Sequence, residues 1–115
     1  MRLELTKHFP FSASYASGGK IYGHNYLLSV TLEIADERSE SAIENRIDEE
    51  LISKMHSKDL GLDVAFLKGV AITDAHLLTA FWPLIEKVVA PSTLVSLELR
   101  RDKRTSTRLA PEGRP

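Results

Sequence analysis

Histidine and tyrosine carry most of the reactive chemistry open to this chain, because it contains no cysteine. Thiolate nucleophiles, disulfides and Cys-ligated zinc are therefore excluded by composition. His24 sits between Tyr22 and Tyr26 at alternate positions, with Tyr15 a short distance upstream. Alternate positions of a strand share one face. A lone imidazole on an apolar face is commonly a packed, hydrogen-bonded residue, and it becomes a metal ligand only where further donors converge. Tyr15 and Tyr22 either line a ligand pocket or form a weak iron site, or they simply fill volume. His56 and His76 are acid–base candidates, although His76, at the start of a helical pattern, also reads as an exposed polar residue. Arg100, Arg101, Lys103 and Arg104, with Arg108 nearby, form a short basic cluster. It suits a phosphate or carboxylate clamp, or a solvated turn.

Other chemistries lack their signatures. Ser17-Gly18-Gly19 lacks the glycine spacing, the lysine–serine ending and the following helix of a phosphate loop. No Gly-x-Ser-x-Gly occurs. With 15 basic and 16 acidic side chains, the net charge of −1 provides no general field for nucleic acid or an anionic membrane, and the basic cluster has no interleaved aromatics. No apolar run approaches the roughly 20 residues that span a bilayer. The first residues do not read as a signal peptide, so a cytoplasmic protein is expected.

The elements that must position these residues follow from periodicity. Residues 2–15 alternate, with Leu3, Leu5, Phe9, Phe11 and Ala13 on one face, which predicts a half-buried strand. Pro10 cannot donate to a ladder and predicts an edge or a bulge. Residues 16–20 carry turn chemistry, and residues 21–34 alternate again, so the two runs predict a long hairpin. Ser41 and Glu44 have capping-box spacing, ahead of a helical stripe of Ile43, Ile47, Leu51 and Met55. Thr73 or Asp74 caps a second helix with the stripe Leu77, Phe81, Leu84, Ile85 and Val88. Pro83 predicts a kink or restart there. Val95, Leu97 and Leu99 predict a third strand, Asp102-Lys103-Arg104 a turn, and Thr105 to Leu109 a fourth strand. The reading is one α+β domain over residues 1–110 in the order ββααββ, a four-stranded antiparallel sheet with two helices on one face, and a loose tail over 111–115. The strands Leu3 to Ala13 and Val95 to Leu99 are the expected sheet edges.

Four local patterns, in order, give the chain a resemblance to the 6-pyruvoyl- and 6-carboxy-tetrahydropterin synthases. Phe11-Ser12-Ala13-Ser14 resembles a Phe-Ser-Ala segment of that family, and Tyr22-Gly23-His24-Asn25-Tyr26 its His-Gly-His-Asn-Tyr strand. Leu51 to Met55 with Lys58-Asp59-Leu60 and Asp63-Val64 resembles the region around its Asp-His pair. Ile72-Thr73-Asp74-Ala75 sits where the family has Pro-Thr-x-Glu-Asn. The resemblance implies the tunnelling fold, in which three subunits close a barrel and two trimers stack. It implies zinc-dependent turnover of dihydroneopterin triphosphate by a lyase step.

The chemistry-bearing positions depart from that pattern. Where the resemblance places three zinc-binding histidines, this chain has Tyr15, Tyr22 and His24. No bound metal is expected, and His24 is at most a vestigial ligand; zinc would follow from the family alone. The cysteine-bearing loop reads Ser17 to Ile21, the Asp-His pair reads His56-Ser57, and the glutamate that anchors the pterin falls at Arg100 or Arg101. Tyr15, Tyr22, His24 and Arg100 are the candidate ligand-binding residues and His56 the weak catalytic candidate. The expected function is a divergent homologue that has lost the lyase activity. It would retain pterin-like ligand binding or partner an active paralogue. The alternatives are a zinc-independent enzyme of pterin or deazapurine biosynthesis and a structural oligomeric protein. A homo-oligomer, trimer or dimer of trimers, is the expected assembly.

Overall fold

The computed structural model describes residues 2–112. Alternation in the first third of the chain builds a hairpin of β1 (Glu4–Ser17) and β2 (Lys20–Glu33). The turn between them is Gly18-Gly19, both at positive φ (58° and 80°). A two-residue turn matching the twist of the flanking strands needs positive φ at both positions, which glycine adopts without steric cost. The pairing then runs without a break from Ser17↔Lys20 to Glu4↔Glu33.

Helical and short elements follow: α1 (Glu40–Ile47), a π-helical turn (Asp48–Ile52), α2 (Ser53–Met55), β3 (Lys58–Asp59), α3 (Asp74–Val89), β4 (Thr93–Arg100) and β5 (Ser106–Leu109). The sheet order is β3-β1-β2-β4-β5. The four long strands are antiparallel to their neighbours, while the two residues of β3 add a short parallel strand outside β1. The expected ββααββ order is present. β4 lies inside the sheet rather than at its edge, because β5 pairs along its outer side. Pro10 does lie where β1 has no partner on its outer side, since β3 meets β1 only at Ala13 and Ser14.

One apolar cluster joins Phe9, Phe11, Tyr26, Leu28, Val30 and Leu32 of the hairpin to the helical stripes, including Ile47, Met55, Leu77 and Phe81. The predicted stripe Ile43, Ile47, Leu51 and Met55 is buried throughout, and the π turn brings Ile52 inward beside Leu51. The widened turn shifts the helical phase, so consecutive residues both reach the core. A bulge does the same in β4. Thr31 pairs with Ser96 but Leu32 with Leu94, so Leu94 rather than Val95 joins Leu97 and Leu99 in the core cluster. On the opposite face the cross-strand pairs are polar: Thr6–Thr31, His8–Ser29 and Ser12–Asn25 hydrogen-bond at 2.8, 2.7 and 2.6 Å.

Local capping differs from the sequence reading at one helix. Asp36 accepts the Arg38 N–H and starts a 3₁₀ turn over Glu37–Ser39. Helix α1 then begins at Glu40, and Ser39 makes no side-chain cap bond. The capping box at Ser41 and Glu44 is thus displaced by a turn that opens earlier. Glu44 instead joins Glu40 in gripping Lys7 of β1, at 3.4 and 2.6 Å; the hydrogen bond to Glu40, ahead of the other interactions, raises the Lys7 pKa. Helix α3 continues through Pro83 without the restart that was one of the two expectations there, and Leu84 lies exposed. Of the loose tail expected over 111–115, residues 113–115 lie outside the described residues. Among the described residues, no helix is long and apolar enough to cross a membrane.

Thr73 caps α3: its hydroxyl accepts the His76 N–H at 3.2 Å. Replacing an N-cap hydroxyl by alanine costs about 1 kcal/mol. Thr73→Ala is therefore expected to lower the urea midpoint with no change in slope, while Thr73→Ser stays close to the parent. Equal midpoints for Thr73→Ala and the parent would show that the cap contributes nothing.

Candidate functional site at the end of the long hairpin

The register places Tyr15 opposite Tyr22, Ala13 opposite His24 and Phe11 opposite Tyr26. All six share the face that carries the core. Their rings form a continuous ladder. Tyr22 stacks on Tyr15 with centroids 5.4 Å apart, Tyr15 lies 5.9 Å from His24, His24 meets Tyr26 edge-on at 5.4 Å, and Tyr26 stacks on Phe11 at 5.0 Å. The small Ala13 side chain leaves the space over which Tyr15 and His24 approach diagonally. Burial falls along the ladder: Tyr26 is 3% exposed and Tyr22 41%. The inner end belongs to the core and the outer end to solvent. The Nε2 atom of His24 is buried without a hydrogen-bond partner.

Three of the predicted site residues, Tyr15, Tyr22 and His24, are thus brought together. Arg100 is not part of the ladder. It pairs with Leu27 and by strand alternation projects on the opposite face from Leu99 and His24. It lines a cleft of about 480 Å³ together with His24 and Arg101. Arg101 occupies the other position considered for the anchor. Its Nε lies 3.3 Å from Asp74 Oδ2 at the start of α3, in an ion pair that does not meet hydrogen-bond geometry. In the sequence Asp74 reads as an alternative helix cap and as part of the Ile72–Ala75 segment of the resemblance, not as a partner of Arg101.

His56 is committed to the backbone. Its Nδ1 accepts the Ser12 N–H at 3.0 Å, while the Ser57 N–H donates to the Ser12 carbonyl and the Leu60 N–H to the Ser14 carbonyl. Nδ1 can accept only when unprotonated, so the neutral ring carries its proton on Nε2. The segment from His56 to Leu60 thereby seals the edge of β1 beside the ladder. Ser57, at φ 61°, makes the turn that permits it. His76 Nδ1 lies 2.7 Å from the Thr73 hydroxyl at the α3 cap, and His8 bonds Ser29 on the opposite face. Neither reaches the ladder.

The donor set here does not fit zinc. A zinc site needs at least three nitrogen, sulfur or carboxylate ligands, and the ladder offers one imidazole with neutral phenols. Among the described residues, no three His, Asp or Glu side chains gather closely enough to share a metal ion.

Burial, ahead of the nearby Tyr15 and Asp74, pushes the Tyr26 phenol well above its usual value of 10.0, and Arg101 offsets this in part. A phenol whose folded pKa is raised contributes stability that is fully present below its unfolded value, about 10, and is lost as pH rises beyond it. Denaturant titrations at pH 8 and pH 11 are expected to show a smaller alkaline loss for Tyr26→Phe than for the parent. An equal loss in both proteins would place the alkaline instability elsewhere.

No protein-family model matches the sequence, and no curated protein does. Solved structures do. The 6-pyruvoyl tetrahydropterin synthase of Caenorhabditis elegans superposes with a TM-score of 0.81 over 97% of both chains at 18% identity. An uncharacterized protein from Wolinella succinogenes superposes with a TM-score of 0.67 at 9% identity, over 97% of this chain and 99% of its own. At such identities the similarity speaks to architecture, and it agrees with the α+β, ββααββ order read from the sequence. The chain has the tunnelling fold found in 6-pyruvoyl tetrahydropterin synthase.

Proposed function

We propose that the protein binds a pterin-like planar heterocycle at the outer end of the aromatic ladder and does not carry out the zinc-dependent lyase reaction. The observation that carries this reading is the stack of Tyr15, Tyr22 and His24, half-open to solvent, with an imidazole nitrogen buried and unpartnered within it. Aromatic faces attract a flat ring by stacking, and the free Nε2 can donate to, or accept from, a ring nitrogen or carbonyl. Lyase chemistry on dihydroneopterin triphosphate needs a group to polarise the substrate and a base to move protons. The donor set does not suit a metal, His56 is engaged with Ser12, and cysteine is absent.

Titrating the protein into pterin and following its fluorescence tests this directly. Saturable quenching is expected, weakened about tenfold by Tyr22→Ala, which removes a stacking face worth about 1 kcal/mol or somewhat more. The same preparation is expected to hold no stoichiometric zinc and to leave dihydroneopterin triphosphate intact. Turnover abolished by His24→Ala would overturn the reading, as would quenching indifferent to both Tyr15→Ala and Tyr22→Ala.

The assembly we propose is a homo-oligomer, a trimer or a dimer of trimers. Both outer edges of the sheet support it. Among the described residues, no strand pairs with the outer side of β1 over residues 4–12 or with the outer side of β5. Open edges invite pairing with another chain, and pairing β1 of one copy with β5 of the next would continue the sheet, with the polar face of Thr6, His8 and Ser29 inward. Light scattering at micromolar concentration is expected to give three or six times the chain mass, and a monomer at that concentration would exclude the closed ring.

A further inference from the structure

We infer that the cleft between the projecting end of β2 and the β4–β5 turn is an oxyanion site, taking the carboxylate or phosphate group of a small ligand. The inference rests on the reading of the hairpin end as a ligand site and shares His24 with it, but it adds a second wall, Arg101 and the β4–β5 turn, and a different part of the ligand.

Two buried polar atoms without hydrogen-bond partners, His24 Nε2 and Arg101 Nε, belong to residues lining this one cleft of about 480 Å³. A guanidinium nitrogen can only donate. The atom that satisfies Arg101 Nε is therefore an acceptor, and an imidazole Nε2–H can serve the same oxygen-bearing group. Asp74 is near enough to hold the arginine in place, at 3.3 Å, yet leaves the Nε–H without a hydrogen bond. Arg100 and Lys103 also line the cleft. The acidic residue beside them, Asp102, is occupied: its carboxylate accepts the Arg104 and Thr105 N–H groups at 2.7 and 2.8 Å. Those bonds, the one from Arg104 first, hold its pKa below the usual carboxylate value.

The backbone contributes as well. Ser12 directs both its N–H and its C=O away from β2, to His56 and Ser57. In an antiparallel pair its partner Asn25 must then direct its own N–H and C=O away from β1, and Gly23, two residues on, does the same. Pairing between β2 and β4 ends at Leu27↔Arg100, so these groups point past the end of β4 toward the cleft. At Gly23 a Cβ would meet nothing within 4 Å, so a ligand can come up to the backbone there. Donors from a guanidinium, an imidazole and main-chain amides, with further cations in the lining, are complementary to an oxyanion.

The experiment uses inorganic phosphate and, separately, benzoate, titrated calorimetrically into the full chain at constant ionic strength set with chloride. Because neither probe carries a pterin ring, failure of pterin binding and failure of the oxyanion site are read independently. Saturable binding of at least one probe is expected: phosphate alone marks a phosphate ester as the ligand class, benzoate alone a carboxylate. Arg101→Gln is expected to weaken it at least tenfold and His24→Ala about fivefold. Asp74→Asn, which removes the competing carboxylate, is expected to tighten it several-fold. That gain is a result that misfolding could not produce, so it keeps the test decisive should Arg101→Gln be unstable. Absence of saturable binding for both probes, or affinities unchanged in Arg101→Gln and Asp74→Asn alike, would overturn the site.

Discussion

The register of the first hairpin is the constraint on which the rest depends. Side chains alternate across a strand, so a slip of one residue would move every ring of the ladder to the other face and every Ser, Thr and His of the polar ladder into the core. Two glycines at positive φ hold the register at one end. The burial of Phe9, Phe11, Tyr26 and Leu28 under the helices holds it along its length. The aromatic cluster and the polar face are thus two outcomes of one choice, made where the chain turns at Gly18-Gly19.

The hairpin is also longer than the sheet that supports it. Both its strands run 14 residues, whereas β4 has 8, so its far end extends beyond the neighbouring strand. Core packing stabilises Tyr26 and Phe11, while Tyr22 and Ile21, the latter 79% exposed, stand where the sheet no longer covers them. Large apolar groups at such a position carry a hydration cost that a stacked ligand or a neighbouring subunit would remove. The Asp74–Arg101 pair links the β4–β5 turn to the start of α3, and Arg101 lines one cleft with His24 of the overhanging hairpin.

Much of this was legible in the sequence, for physical reasons that differ by element. Period-two alternation through both strands of the hairpin is a strong signal because one face is largely apolar, and it put Tyr22, His24 and Tyr26 on one face; Tyr15 joined Tyr22 and His24 only through the family resemblance. The helical stripe from Ile43 to Met55 was legible for the same reason. What alternation could not show were phase changes. The extra residue in β4 hid Leu94 behind Val95, and the π turn hid Ile52 behind Leu51. Nor could it distinguish Arg100, the last residue of β4, from Arg101, which follows the strand and pairs with Asp74. Asp74 carried the signature of a helix start, and its pairing with Arg101 depends on a contact between segments distant in sequence. His56 was legible only as an acid–base candidate at the family's Asp-His position; its bond to the Ser12 amide follows from the turn at Ser57, where a residue other than glycine adopts positive φ.

The closure of the β1 edge by His56 and the residues after it sets a limit on how far another strand can travel along that edge. From Ser12 to Ser14 the main-chain groups are already taken by His56, Ser57 and Leu60. Just before them stands Pro10, which has no N–H to offer. An incoming strand can therefore zip along residues 4–9 and no farther. The chain carries its own end-stop for edge-to-edge growth, and only a short stretch that includes Glu4, Lys7 and His8 is left for contact. Such a stretch is poorly suited to indefinite stacking and well suited to a bounded one. The hairpin end with its ring ladder lies beyond the stop, where no strand arriving along this edge can cover it.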